Sequence, residues 1–210
     1  MPLRCNMSKI TAIEVQKNDK ERCNIFVDGS FFAGVSIEIV IKNHLKVGME
    51  LDKTSLGELI FSAEKEKALK KALDYVSKAL KTKKQVKDYL EKKGYSIEII
   101  LKILDKLIDY GLINDVEYAK RYIESTSKKQ GQKLIEYKLM SKGVKKQDIA
   151  LAYADVEDFD KDRVYNLAIK HLKNKERTRE NLAKTYKYLL GKGFLYEEVD
   201  GAISRIKSEE

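Results

Sequence analysis

A turn that recurs three times constrains this chain more than any other feature. Leu90-Glu91-Lys92-Lys93-Gly94-Tyr95, Leu139-Met140-Ser141-Lys142-Gly143-Val144 and Leu189-Leu190-Gly191-Lys192-Gly193-Phe194 place their last glycines 49 and 50 residues apart. In each copy apolar residues stand four before the glycine and one, six and ten after it. Glycine just past a helix end takes the left-handed conformation that side chains disfavour. A lysine before it offsets the negative end of the helix dipole. The apolar residue after it folds back on the last helical turn. Each copy therefore needs one helix before the glycine and one after, and its length leaves room for a third.

The rest of the sequence permits this. The only proline is Pro2, so no helix breaker lies inside the chain. Ala68, Leu69, Ala72, Leu73, Val76, Ala79 and Leu80 follow helical spacing, and from Ser62 onward this period dominates. Helix starts are marked: Thr82 with Gln85 and Asn114 with Glu117 have capping-box spacing, and Ser96 and Thr178 are good N-caps. The expected fold is mainly α: three tandem three-helix repeats, 63–110, 111–156 and 157–210, forming an elongated curved array. Gly94, Gly143 and Gly193 are its structural turns.

Residues 8–62 read differently. Lys9 to Val15 alternates and is β-branched, Cys23 to Val27 is apolar, and Asp28-Gly29 between apolar runs is a strong hairpin signal leading to Phe31-Phe32-Ala33. Ser36 can cap a short helix to about His44, and another helix starts near Thr54. This predicts a small three-stranded unit with a helix against it. Residues 1–7 show no pattern and are expected to be disordered or non-native, with Met7 an equally good start.

Catalysis finds little support. His44 and His171 are the only histidines, and no phosphate-binding glycine loop, HExxH or nucleophile motif accompanies them. His171, beside Leu167, Ala168 and Leu172, reads as a partly buried structural residue. The acids Asp155, Glu157, Asp158 and Asp160 sit at a repeat junction, where a helix start favours them, and do not spell a metal loop. Cys5 and Cys23 are too few for a zinc ribbon or redox pair, which fits a reducing cytoplasm. No apolar run is long enough to span a bilayer. The expectation is a monomeric, non-enzymatic binding protein with no catalytic, cofactor-binding or metal-ligating residues and no membrane attachment.

Charge points to the partner. Residues 1–62 carry eight Lys/Arg and eight Asp/Glu, so the formal net charge of +9 lies wholly beyond them. Segments 78–93, 128–146 and 170–192 hold seven, seven and eight basic residues against two, one and two acids. Each coincides with the middle helix of a repeat. Val86 and Leu90 put Lys84 and Lys87 on the solvent side of the first such helix. Ile135 and Leu139 do the same for Lys133, and Leu182, Tyr186 and Leu189 for Lys184 and Lys187. Stacked repeats would align these five lysines in one stripe suited to phosphates or an acidic protein groove. Tyr89, Tyr137 and Tyr188 lie near it, and helix packing suits them better than base stacking.

The sequence resembles the RecX family, bacterial regulators of the recombinase RecA. Gly111-Leu112-Ile113-Asn114-Asp115-Val116-Glu117-Tyr118-Ala119 is similar to the family's Gly-Leu-Ile-Asp-Asp-x-x-Phe-Ala segment. Gly131 through Ile135 with Lys142-Gly143-Val144, and Tyr188 through Phe194, resemble its later repeats. Ile10 to Gln16 and the Val27-Asp28-Gly29 turn resemble its longer members. Ala79-Leu80-Lys81-Thr82 departs from the family's Arg-x-Arg-Ser entry, and several family arginines are lysine, which keeps charge but loses bidentate geometry. The resemblance implies a modulator lying in the groove of a RecA filament on single-stranded DNA. It would block filament growth, strand exchange and repressor cleavage by occlusion, with the lysine stripe near filament acids or directly on the DNA backbone. A plain nucleic-acid-binding module is the alternative.

Overall fold

The computed structural model describes residues 7–156, 162–173 and 175–209. The chain forms two compact units, residues 1–79 with 86–112 and residues 80–85 with 113–210. Strand-forming sequence is confined to the start of the first unit, and helix follows to the end of the second.

The first unit opens with β1 (Met7–Val15), β2 (Arg22–Val27) and β3 (Ser30–Ser36), which lie antiparallel in chain order. Asp28 and Gly29 make the β2–β3 turn with φ of +52° and +80°, both left-handed as a twisted two-residue hairpin needs. After α1 (Ile37–Lys42), a fourth strand, β4 (Glu50–Asp52), pairs Asp52 with Met7 and completes the order β3-β2-β1-β4. The sheet is thus four-stranded where the sequence suggests three. Three residues are too few to show an alternation, and their pairing spans some forty positions of chain. Met7, read as part of a patternless start, is strand. Residues 1–6 lie outside the described residues.

Asp52 also caps α2 (Lys53–Ser77), its carboxylate accepting from the Ser55 amide at 2.7 Å. This helix runs unbroken through Ser62, so the β unit and the first repeat share it. Its first half puts Leu56 and Ile60 into the core under the sheet, among Ile10, Ile25, Val27 and Val35. Its second half buries Ala68 and Ala72, and the helix packs with α4 (Ile97–Asp109). Between them α3 (Lys83–Lys92) buries Val86 and Leu90. A buried ion pair ties sheet to helix: Arg22 of β2 donates to Glu64 of α2 at 3.1 Å and to the Gly34 carbonyl at 2.8 Å. The second Glu64 oxygen accepts from the Ser36 amide. The Arg22 guanidinium also lies over the Tyr95 ring, 5.4 Å from its centre. Burial pushes the Tyr95 phenol up to about 12.

The second unit holds α5 (Asp115–Thr126), α6 (Gln132–Ser141) and α7 (Lys146–Ala154), then α8 (Arg163–Leu172), α9 (Arg179–Gly191) and α10 (Tyr196–Ser208). Each trio encloses its own apolar cluster, Ala119, Ile123, Ile135, Leu139 and Ile149 in one and Val164, Ala168, Leu189, Val199 and Ile206 in the other. Three helix trios among the described residues make the fold mainly helical. The shared register is one of burial. Leu90, Leu139 and Leu189 are buried, as are Tyr95, Val144 and Phe194 after the glycines and Ile100, Ile149 and Val199 beyond. Each such side chain contributes about 1.5–3 kcal/mol.

Candidate partner-binding surface

The three turns share one hydrogen-bond pattern. Gly94, Gly143 and Gly193 have φ of +78°, +89° and +85°. Their amides donate to Glu91, Met140 and Leu190, and the next residues' amides to Leu90, Leu139 and Leu189, closing the last carbonyls of each helix. A fourth such ending at Gly111, φ +68°, closes α4 through Leu112 to Leu107.

Two of these turns do more than end a helix. At Gly193 the start of α6 abuts the end of α9. The Gly131 amide donates to the Lys192 carbonyl at 2.8 Å and the Lys133 amide to Gly193 at 3.1 Å. At Gly143 the Thr82 hydroxyl, opening α3, donates to the Lys142 carbonyl at 2.7 Å, and the Lys84 stem lies on the glycine. Unsatisfied donors at one helix start meet unsatisfied acceptors at another helix end. The approach is close: a Cβ on Gly193 would come within 2.5 Å of Leu134, one on Gly143 within 2.3 Å of Lys84, and one on Gly131 within 2.2 Å of the Phe194 amide nitrogen. Thr82 and Gln85 also cap each other, Thr82 N to Gln85 Oε1 at 3.0 Å and Gln85 N to Thr82 Oγ1 at 3.1 Å. The Lys83 amide donates to Asp115, the first residue of α5, at 2.8 Å; burial nonetheless raises that carboxyl. The Gly94 turn receives no helix start within its own unit. Arg22 sits there, its Nε 3.2 Å from where a Cβ would be.

Two of the five lysines stand at the joints. Lys84 and Lys133 hold the same place, ten residues before their glycines, one at each joint. Both are exposed, and the Lys133 ammonium lies 5.2 Å from the centre of the Tyr196 ring. Lys184 and Lys187 share the outer face of α9, with Lys184 paired to Glu180 at 2.7 Å. Lys87 lies in the other compact unit, half-exposed and paired to Glu91 at 3.3 Å. Each ion pair joins neighbouring turns of its own exposed helix, where solvent screening lets it yield readily to a stronger anion.

The aromatics near the stripe divide. Tyr89 stacks on Tyr75 at 4.2 Å and Tyr188 on His171 at 4.2 Å, so both pack. Tyr137 does not: it is 67% exposed, because it faces away from Ile135 and Leu139. His171 is half-buried, its Nδ1 3.0 Å from the Thr185 hydroxyl, and burial, helped by Lys175, lowers its pKa. The acidic junction is only partly within reach. Glu157, Asp158 and Asp160 lie outside the described residues, and Asp155 stands 3.8 Å from Lys120. Among the described residues no group of His, Cys, Asp or Glu is placed to hold a metal, and no helix is long and apolar enough to cross a membrane. Sequence reasoning missed Gly131, Arg22 and Glu64. Gly131 carried a signal, a glycine just before an apolar helix, but the lone ionic residues carried none.

Residues 8–52 match the model of the regulatory protein RecX N-terminal domain, and residues 68–107 that of the first three-helix domain of RecX. The regulatory protein RecX of Clostridium tetani is 34% identical over 208 residues, which cover 95% of each chain. That of Bacillus cereus is 31% identical, covering 97% of this chain and 79% of its own. A crystal structure of regulatory protein RecX superposes with a TM-score of 0.64 at 28% identity, over 92% of this chain and 97% of the other. RecX from Lactobacillus salivarius gives the same TM-score at 29% identity over 70% of this chain. The relatives are regulatory proteins, and no catalytic family is indicated. The four-stranded cap, the helix trios closed by glycine turns and these matches along almost the whole sequence make the chain a member of the RecX family of regulatory proteins.

Proposed function

We propose that this protein is a non-catalytic regulator that docks on the filament formed by RecA recombinase on single-stranded DNA. There it mainly inhibits recombinase activity in DNA repair and the SOS response. One observation carries the reading. Lys84 and Lys133 recur at equivalent helix starts, and Lys184 and Lys187 follow on the exposed face of the next middle helix, so the repeat geometry itself sets out positive charge. A surface of this kind attracts phosphates and acidic side chains by releasing their counterions. The mechanism is occlusion: a chain lying on the filament excludes incoming recombinase subunits and the second DNA, with no bond made or broken. Lys84, Lys87, Lys133, Lys184 and Lys187 supply the attraction.

Recombinase ATP hydrolysis on single-stranded DNA, followed as the protein is added, tests this reading. Inhibition that is lost when the five lysines are reversed to glutamate is the expected result. Unchanged filament affinity of that variant at low salt rejects the stripe. Full affinity for bare DNA, with recombinase absent, favours a plain nucleic-acid-binding module instead.

A further inference from the structure

The third repeat carries a groove at the positions where the second repeat meets its successor. In the second repeat, Lys133 at the start of α6 meets Tyr196, and Tyr153 of α7 lies in the fields of Arg163 and Glu198, all three from the next repeat. The corresponding positions in the third repeat, counted from Gly193, are Ala183 and Ile203. They line a groove of about 620 Å³ between α9 and α10. Its apolar floor is Leu182, Ala183 and Ile203, and its rim is Arg179, Lys187 and Lys207. The remaining lining residue, Tyr186, has its hydroxyl engaged by Asp200. No carboxylate lines the groove, and among the described residues none of the three cations has an ion-pair partner. Lys184, one residue outside it, does.

We propose that this groove docks an acidic protein segment that carries an aliphatic or aromatic side chain. Three unpaired cations around an apolar floor complement carboxylates flanking one apolar anchor. The first joint uses related chemistry, with a carboxylate of the next repeat, Asp115, on the amide of Lys83 at the start of a middle helix. Nucleic acid fits less well: bases stack on open aromatic faces, whereas this floor is aliphatic and its one tyrosine is half-buried. A second copy docking through its first glycine turn is disfavoured, because Arg22 already occupies the Gly94 turn. The groove shares Lys187 with the lysine stripe but adds an apolar requirement that filament electrostatics does not have.

Fluorescence anisotropy of the full chain with labelled probes tests this. One peptide interleaves Asp and Glu with leucine, a second replaces each leucine by serine, and a third probe is oligo-dT. The leucine peptide should bind about tenfold or more tighter than the serine peptide, the value of one buried leucine. Ala183→Trp, which fills the groove from an exposed position, should abolish leucine-peptide binding and leave oligo-dT binding unchanged. Arg179→Glu with Lys207→Glu should weaken the leucine peptide about tenfold or more while sparing the five stripe lysines, so filament docking is scored separately. Equal binding of the two peptides, or indifference of either variant to the leucine peptide, overturns the proposal. So does oligo-dT binding that Ala183→Trp blocks. Self-association in sedimentation that Ala183→Trp abolishes would also overturn it, assigning the groove to a second copy.

Discussion

Three glycines show that a residue can serve backbone conformation, close approach or both. Gly111 has positive φ with open space around it, whereas Gly131 has ordinary φ and the Phe194 backbone against it. Gly111→Ala should therefore cost about 1–2 kcal/mol, the left-handed penalty alone. Gly131→Ala carries no such penalty, yet should cost about 1–3 kcal/mol through overpacking at the joint. Gly193→Ala combines both and should cost most. Urea unfolding of the three variants checks the order, and a neutral Gly131→Ala would contradict the joint. His171 makes a pH prediction. Burial first, and Lys175 second, lower its pKa from the ordinary value, so the folded state binds the proton less well than the unfolded chain. Its contribution is present above the ordinary histidine pKa and is lost as pH falls through the window below it. The stability advantage of the wild type over His171→Gln should thus shrink between neutral pH and about pH 5. An advantage that grows on acidification would reverse the sign.

Among elements, α2 shows how one helix serves two cores. Asp52 starts it, Leu56 and Ile60 support the sheet, and Ala68 and Ala72 are buried further along, where the sequence is helical repeat. Glu64 lies between those halves and anchors Arg22, whose guanidinium reaches the Tyr95 ring beside the Gly94 turn. Removing one partner leaves a buried charge, so Arg22→Met or Glu64→Leu alone should destabilise by about 3–5 kcal/mol. The double variant should recover most of that loss, since a buried pair is often replaceable by apolar residues. A double-mutant cycle in urea measures the coupling; additive losses would show that the two side chains act independently. The end-to-turn joints are the second lesson at this scale. At Gly193 the unsatisfied ends of two helices become one set of hydrogen bonds, so the start of α6 is held to the end of α9 by backbone chemistry.

For the whole molecule, the excess of +9 beyond residue 62 makes the proposed filament docking salt-dependent. Affinity for the filament should fall steeply with salt, by about 0.7–0.9 in log–log slope per phosphate neutralised. Replacing the five stripe lysines by glutamine should flatten that slope by up to about four. An unchanged slope in a salt titration would show that other cations carry the contact.

The sequence by itself determined the local chemistry. Glycine spacing, capping residues and apolar register are short-range properties, and they specified three helix trios, a hairpin at Asp28-Gly29 and the exposure of Lys84, Lys133, Lys184 and Lys187. Even β4 is a local failure, three residues whose strand pairing is made by Met7 to Lys9, far away in the chain. Tertiary structure decided the rest, because contacts between distant segments leave no period in a sequence. It placed Arg22 on Glu64, brought Gly131 against Phe194 and spread a core across α2 where the pattern suggested a boundary. It also set Ala183 exposed above the buried Leu182 and Ile203, ringed by cations, since which apolar positions are buried depends on which segment folds over them.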